Sequence, residues 1–275
     1  MELTDPPGFL DYLRGEIQAN RLVLPSLPEV AFKVKEAVER EEISAAKLAA
    51  LISEDAALAA RLIQVANSPL YRGRTEIKSL PMAITRMGYY TVRTLILGLA
   101  MKQMFQPTSP LLDRYFHAIW QTSVEVGAIS RALASLCSHL NPDHALLAGL
   151  IHQIGKLPIL TLAERLPNLT EDPAHLDRLL EALHPQVGAM LLTHWHFPQT
   201  LIEVVTEYLN WQRRLDEGPA DYVDVVQAAY LTSASLSQVP PVDLAQVKAF
   251  ARLGLEPGIE IVEMEAVEAA KQLFV

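Results

Sequence analysis

Helical spacing runs through almost the whole chain, and no useful stretch alternates apolar and polar residues as a half-buried strand does. Val30, Val34, Ala37 and Val38 form an i, i+4, i+7, i+8 stripe, and Leu58, Leu62, Val65 and Ala66 repeat it. Helix starts are also marked. Ser44 precedes AAKLAALI, Ser109-Pro110 precedes LLDRYFHAIW, Asn141-Pro142-Asp143 precedes HALLAGLI, and Asp172-Pro173 precedes AHLDRLLEAL. Each start places a capping side chain before an apolar run, and proline in a first turn forfeits no hydrogen bond. Gly88 reads as a helix C-terminus, with a new helix expected near Thr91 and a long one from Pro110 to about Leu136. The expectation is an all-α fold of about a dozen helices.

The most breaker-rich internal segment is Gln106-Pro107-Thr108-Ser109-Pro110. It divides the chain into an N-terminal lobe, residues 1–106, and a helical bundle, residues 107–275. So short a connection leaves little freedom, so the two parts are expected to pack together.

Charge and composition exclude several function classes. A formal charge of -9 over 275 residues argues against general nucleic-acid binding, which needs a basic footprint. The local exception is Tyr71-Arg72-Gly73-Arg74, with Lys78, Arg86 and Arg93 further on, read as solvated arginines. The single cysteine, Cys137, fits a reducing compartment and reads as a buried structural thiol. The acidic start MELTDPPGFLDYL lacks the basic and apolar regions of a secretion signal. The apolar run from Ala145 to Ala163 is interrupted by His152, Gln153 and Lys156, so no membrane span is expected. These points together predict a cytoplasmic protein.

Eight histidines raise the question of a metal. His194 and His196 flank Trp195, and on a helix they would face different sides, so a shared metal is not expected. His139, His144 and His175 are read as solvated, and His117 as exposed or packed. His152 and His184 differ, because both sit in apolar helical segments where each ring nitrogen needs a partner. No phosphate-cradling glycine loop or nucleophile elbow is present. The carboxylate pairs Glu41-Glu42 and Glu54-Asp55 read as helix-end or surface groups.

Several fragments, in order, carry a family resemblance. They are Leu24-Pro-Ser-Leu-Pro-Glu29, Leu62-Ile-Gln-Val-Ala-Asn-Ser-Pro-Leu-Tyr71 and Ile77-Lys-Ser-Leu-Pro-Met-Ala-Ile84 with Met87-Gly88. Then follow Trp120-Gln-Thr-Ser123, Ala148-Gly-Leu-Ile-His-Gln-Ile-Gly-Lys156, His184-Pro-Gln-Val-Gly188 and Trp195-His-Phe-Pro198. Through these the chain resembles the HDOD domain, a bacterial signalling module related to the HD superfamily of metal-dependent phosphohydrolases. The resemblance implies an N-terminal multi-helix lobe fused to an HD-like helical bundle.

It also implies where metal ligands would stand. Active members of the superfamily use a histidine, an adjacent His-Asp pair, further histidines and a distant aspartate. Matched by position, the first histidine is Thr122, and His152 survives while its aspartate is Gln153. His184 survives, a histidine pair falls near Tyr208-Leu209, and the last aspartate falls near Tyr230. Two imidazoles without carboxylate charge are a poor set for a divalent cation. The resemblance therefore implies a vestigial site, with no catalytic residue and no bound metal or cofactor. The leading expectation is a regulatory module acting through contact with a signalling or regulatory protein. The alternatives are a nucleotide or cyclic-dinucleotide receptor in the same cleft, with Arg86, Arg131 and Lys156 as candidate phosphate contacts, and a residual phosphohydrolase using His152 and His184.

Overall fold

Residues 5–19, 21–22, 24–39, 43–104, 110–166, 169, 171–213, 218–233, 242–256 and 264–274 are described by a computed structural model. The expected boundary at residues 106–109, the Ser109 cap and the pair Glu41-Glu42 lie outside them. Among the described residues every regular element is a helix, as the spacing predicts. The N-terminal part holds α1 (Pro6–Gln18), α2 (Glu29–Glu39), α3 (Ala45–Ile52), α4 (Ala56–Ala66), α5 (Leu80–Met87) and α6 (Tyr89–Met104). The remainder begins with α7 (Pro110–Ala134), α8 (Pro142–Ile151), α9 (Lys156–Ala163) and α10 (Pro173–His194). It continues through α11 (Gln199–Glu207), α12 (Tyr222–Thr232), a short 3-10 turn at Leu244–Gln246, α13 (Lys248–Arg252) and α14 (Met264–Lys271).

The caps work as their chemistry requires. Ser44 accepts from the Lys47 amide, Asn141 from those of Asp143 and His144, and Asp172 from that of His175. Asp55 caps α4, and Glu54 pairs with Lys33 at 2.7 Å, so this carboxylate pair is a helix-end feature. Gly88 ends α5 with φ 83, a conformation open to glycine at little cost, and α6 starts at once at Tyr89.

Helix α6 joins the two parts. It packs on α2, α4 and α5 on one side and on α8 on the other, and is buried from Leu95 through Met101. Each fully buried Leu or Ile there contributes roughly 1.5–3 kcal/mol, so the two parts share one core. Polar ties cross the same boundary. The Trp195 indole donates to the Pro25 carbonyl at 2.9 Å, and the buried Lys35 ammonium lies 5.8 Å from the Phe197 ring centroid. Asp143 accepts from Tyr71 at 2.9 Å, from Thr91 at 2.6 Å and from Arg131 at 3.1 Å. The stretch Pro142–Ala163 is long and apolar enough to cross a membrane, but nearly all of its apolar part is buried inside the protein, where it forms core.

Several expectations for single residues need correction. Cys137 is half-buried rather than fully buried, because α7 stops at Ala134 and the thiol sits in the turn beyond it. His144 is not solvated: it packs 4.6 Å from the Tyr222 ring centroid, and burial pushes it down to about 4. His175 is also partly buried, whereas His139 is exposed. His194 and His196 are exposed beside the buried Trp195, as expected.

Candidate functional site

The segment GLIHQIGK spans the end of α8, a tight turn and the first residue of α9. Gly155 decides where that turn lies. A Cβ on it would stand 2.0 Å from the His184 carbonyl oxygen and 2.4 Å from the Gly188 nitrogen, so only glycine permits this approach of the turn to α10. The approach brings His152 into the same buried cluster as His184. Tyr208, just past α11, and Tyr230, on α12, complete the cluster. Their ring centroids lie 4.9 Å and 5.6 Å from that of His152, and 5.3 Å from each other. Trp211 stacks on Tyr230 at 6.3 Å.

Hydrogen bonds place a proton on Nδ1 of both imidazoles, and burial keeps both rings neutral. His152 Nδ1 lies 2.6 Å from the Gly149 carbonyl oxygen, and a carbonyl can only accept, so the proton is there. His184 Nδ1 lies 2.7 Å from the Leu180 carbonyl oxygen, one turn back on the same helix. Pro185, the next residue, has no N–H to offer the carbonyl four residues before it. His184 Nε2 is then an acceptor, and the Tyr208 hydroxyl donates to it at 2.7 Å. Gln153 acts on the same phenol, favouring its ionised form against the larger effect of burial. His152 Nε2 is buried with no hydrogen-bond partner among the described residues.

Burial dominates the electrostatics. It holds His152 and His184 down to about 3, with the Lys156 charge adding in the same direction, and pushes the Tyr208 phenol well above its usual range. The carboxylate whose charge reaches this cluster is Glu181, and Lys156 pairs with it at 2.6 Å. Among the described residues no group of three or more His, Cys, Asp or Glu side chains is placed to share a metal. The donor set does not fit one either. The Nε2 lone pair of His184 is spent on Tyr208, and the rings packed against His152 are tyrosines, which bring no carboxylate charge.

Of the residues singled out from the sequence, His152, Gln153, His184, Tyr208 and Tyr230 come together. Thr122 lies half-buried on α7. The three cations do not converge. Lys156 follows the C-terminal end of α8, while Arg131 pairs with Asp143 at its N-terminal end, about 15 Å away by helical rise. Arg86 lies against Gly73 in the N-terminal part. Sequence reasoning missed Glu181 and Trp211. Glu181 stands three residues before His184 and so on its helix face, a signal that was available. Trp211 carries no motif.

The fold and the cluster define a class: an all-helical protein of HD-like architecture whose buried centre pairs two histidines with two tyrosines. A crystal structure from Shewanella amazonensis SB2B, of a "Putative metal-dependent phosphohydrolase", is similar with TM-score 0.84 and 30% identity, covering 98% of this chain and 99% of that one. An HDOD domain protein of unknown function from Geobacter sulfurreducens shares the fold at TM-score 0.66 and 21% identity, over 96% and 98% of the two chains. The HDOD domain model matches residues 24–210, and the chain belongs to the HDOD family. An uncharacterized protein of Treponema pallidum (strain Nichols) is 24% identical over 228 residues, 78% of this chain, and this chain spans 42% of that relative's length.

Proposed function

We propose that this chain is a regulatory signal-transduction module that acts by contacting a signalling or regulatory protein and performs no hydrolysis of its own. The observation that carries the reading is the 2.7 Å bond from the Tyr208 hydroxyl to His184 Nε2. It turns a potential metal ligand into part of a hydrogen-bonded core, and Gln153, the residue at the expected aspartate position, carries no charge to hold a cation. Family membership and a neighbour of the same fold named a "Putative signal transduction protein", from Marinobacter aquaeolei VT8, point the same way. The phosphohydrolase name of the 30% identical Shewanella protein points the other way, so the deciding assay is one of metal. A nucleotide receptor in this cleft draws less support, because Lys156 is engaged by Glu181 and tyrosine rings fill the centre.

The test is elemental analysis of protein purified without chelator and without a histidine tag. Substoichiometric metal is the expected result. Iron, manganese or zinc bound stoichiometrically, and lost in His152→Ala, would overturn the reading and restore a hydrolase.

A further inference from the structure

We propose that the α4–α5 loop and helix α5 form the docking surface for an acidic, amphipathic segment of the partner protein. This deepens the macromolecular-contact reading above and rests on it.

The surface starts from Asn67, at the C-terminal end of α4. Its side-chain amide donates to the Ile63 and Ile77 carbonyls at 3.0 and 2.8 Å, and its oxygen accepts from the Ile77 amide at 2.8 Å. Both ends of the loop are thereby tied together, and Arg72, Gly73 and Arg74 are presented exposed on a closed frame. Gly73 has a particular use there. A Cβ on it would lie 3.2 Å from the Arg86 guanidinium carbon, so its bare backbone lets the guanidinium lie against the loop. Arg86 also lines a shallow groove of about 480 Å³ with Ile77, Pro81, Met82 and Thr85. The guanidinium therefore sets a positive charge at the edge of that groove, although its Nη1 is itself buried, with no hydrogen-bond partner among the described residues.

Two features then choose the occupant. Arg72, Arg74 and Lys78 are exposed on the loop that leads into the groove, where Glu76 pairs with Lys78 at 3.7 Å, on a chain whose formal charge is -9. A patch opposite in sign to the whole molecule attracts a carboxylate-bearing partner locally, whereas a long polyphosphate would be repelled by the remaining surface. The floor is apolar, and Met82 is 40% exposed, an adaptable side chain suited to receiving an apolar residue beside the carboxylate. Carboxylates and apolar side chains on one helix meet both demands.

The test is fluorescence anisotropy of a fluorescein-labelled helix carrying Glu on one face and Leu on the other, titrated with the full chain. The comparison probes are the same peptide with Ser for Leu and a single-stranded DNA. Saturable binding of the Glu/Leu peptide is expected, weakened about tenfold by Arg86→Gln and by Met82→Asp, and absent for the Ser peptide. Met82 is exposed, so its replacement leaves the fold intact, which circular dichroism checks. Equal binding by the variants, or no binding of the Glu/Leu peptide, overturns the proposal. DNA binding that depends on Arg86 while the peptide stays free makes this a nucleic-acid surface and overturns it as well. Metal content measured on the same preparation keeps the two readings apart. Stoichiometric metal defeats the functional reading, whereas a metal-free chain that ignores the peptide defeats this surface alone.

Discussion

Acidification should unfold this protein through its buried imidazoles. Burial holds His152 and His184 at about 3, against 6.5 for an ordinary imidazole. The folded chain therefore stays uncharged at both sites as the pH falls below 6.5, while the unfolded chain takes up a proton at each. The sign is unambiguous: the unfolded state binds more protons, so stability is complete above about 6.5 and is lost on the way down towards 3. One unit below the unfolded value, near pH 5.5, each group has removed about 1.4 kcal/mol, or about 2.7 kcal/mol for the pair. Near pH 4.5 the pair has removed about 5.5 kcal/mol, comparable with the whole stability of many domains, roughly 5–15 kcal/mol.

Urea unfolding followed by tryptophan fluorescence measures this directly, since Trp195 is buried and Trp211 stacks on the cluster. The comparison is the double variant His152→Asn, His184→Gln. The asparagine amide can still serve the Gly149 carbonyl, and the glutamine oxygen can still accept from Tyr208, but neither titrates. Wild type should lose about 2.7 kcal/mol more than the variant between about pH 7.5 and pH 5.5. Equal losses in the two proteins would refute the reasoning, because the imidazoles would then be accepting protons without unfolding. His144, held at about 4, is common to both chains and cancels.

Two further variants probe the hydrogen bonds and the close approach. Tyr208→Phe removes the donor to His184 Nε2 within a fully buried site, at a cost of about 1–3 kcal/mol. Calorimetry should show a Tm lower by a few degrees, and an unchanged Tm would mean that the bond is not made. Gly155→Ala places a methyl group 2.0 Å from the His184 carbonyl oxygen, where only backbone can yield, so a loss of about 3 kcal/mol or more and poor soluble yield are expected. Gly15→Ala is its control: nothing lies within 4 Å, and the change should stabilise α1 by roughly 0.5–1 kcal/mol. A Gly155→Ala chain as stable as wild type would show that the turn and α10 are less tightly apposed than their geometry requires.

Helix identity was legible because the signals are local. A capping oxygen such as Asn141 and a stripe such as Leu58–Leu62–Val65 act within a turn or two, and the structure follows them. The conformation of Gly88 was legible for the same reason. The placement of His144 was not, since it depends on Tyr222, far away in the chain, closing over it. The buried centre was half legible. Position matching brought forward His152, His184, Tyr208 and Tyr230, but their order of bonding depends on the Tyr208–His184 distance and on the Gly155 contact, which are three-dimensional facts. The Glu181–Lys156 pair depends on how α9 meets α10, which no local pattern encodes.

The residues at the centre make sense only as a set. Gln153 brings no charge to hold a cation, and two buried imidazoles each have an acceptor lone pair to satisfy. A tyrosine supplies a donor, so Tyr208 satisfies His184. The second imidazole is not served. His152 Nε2 has no hydrogen-bond partner among the described residues, a deficit of about 1–3 kcal/mol left in the core beside the rings of Tyr208 and Tyr230. What the imidazole supplies in return is the Nδ1 bond to the Gly149 carbonyl, which closes the last turn of α8 at 2.6 Å. His152 thus serves the geometry of the turn, and with it the meeting of α8, α9 and α10 on which the rest of the bundle is built.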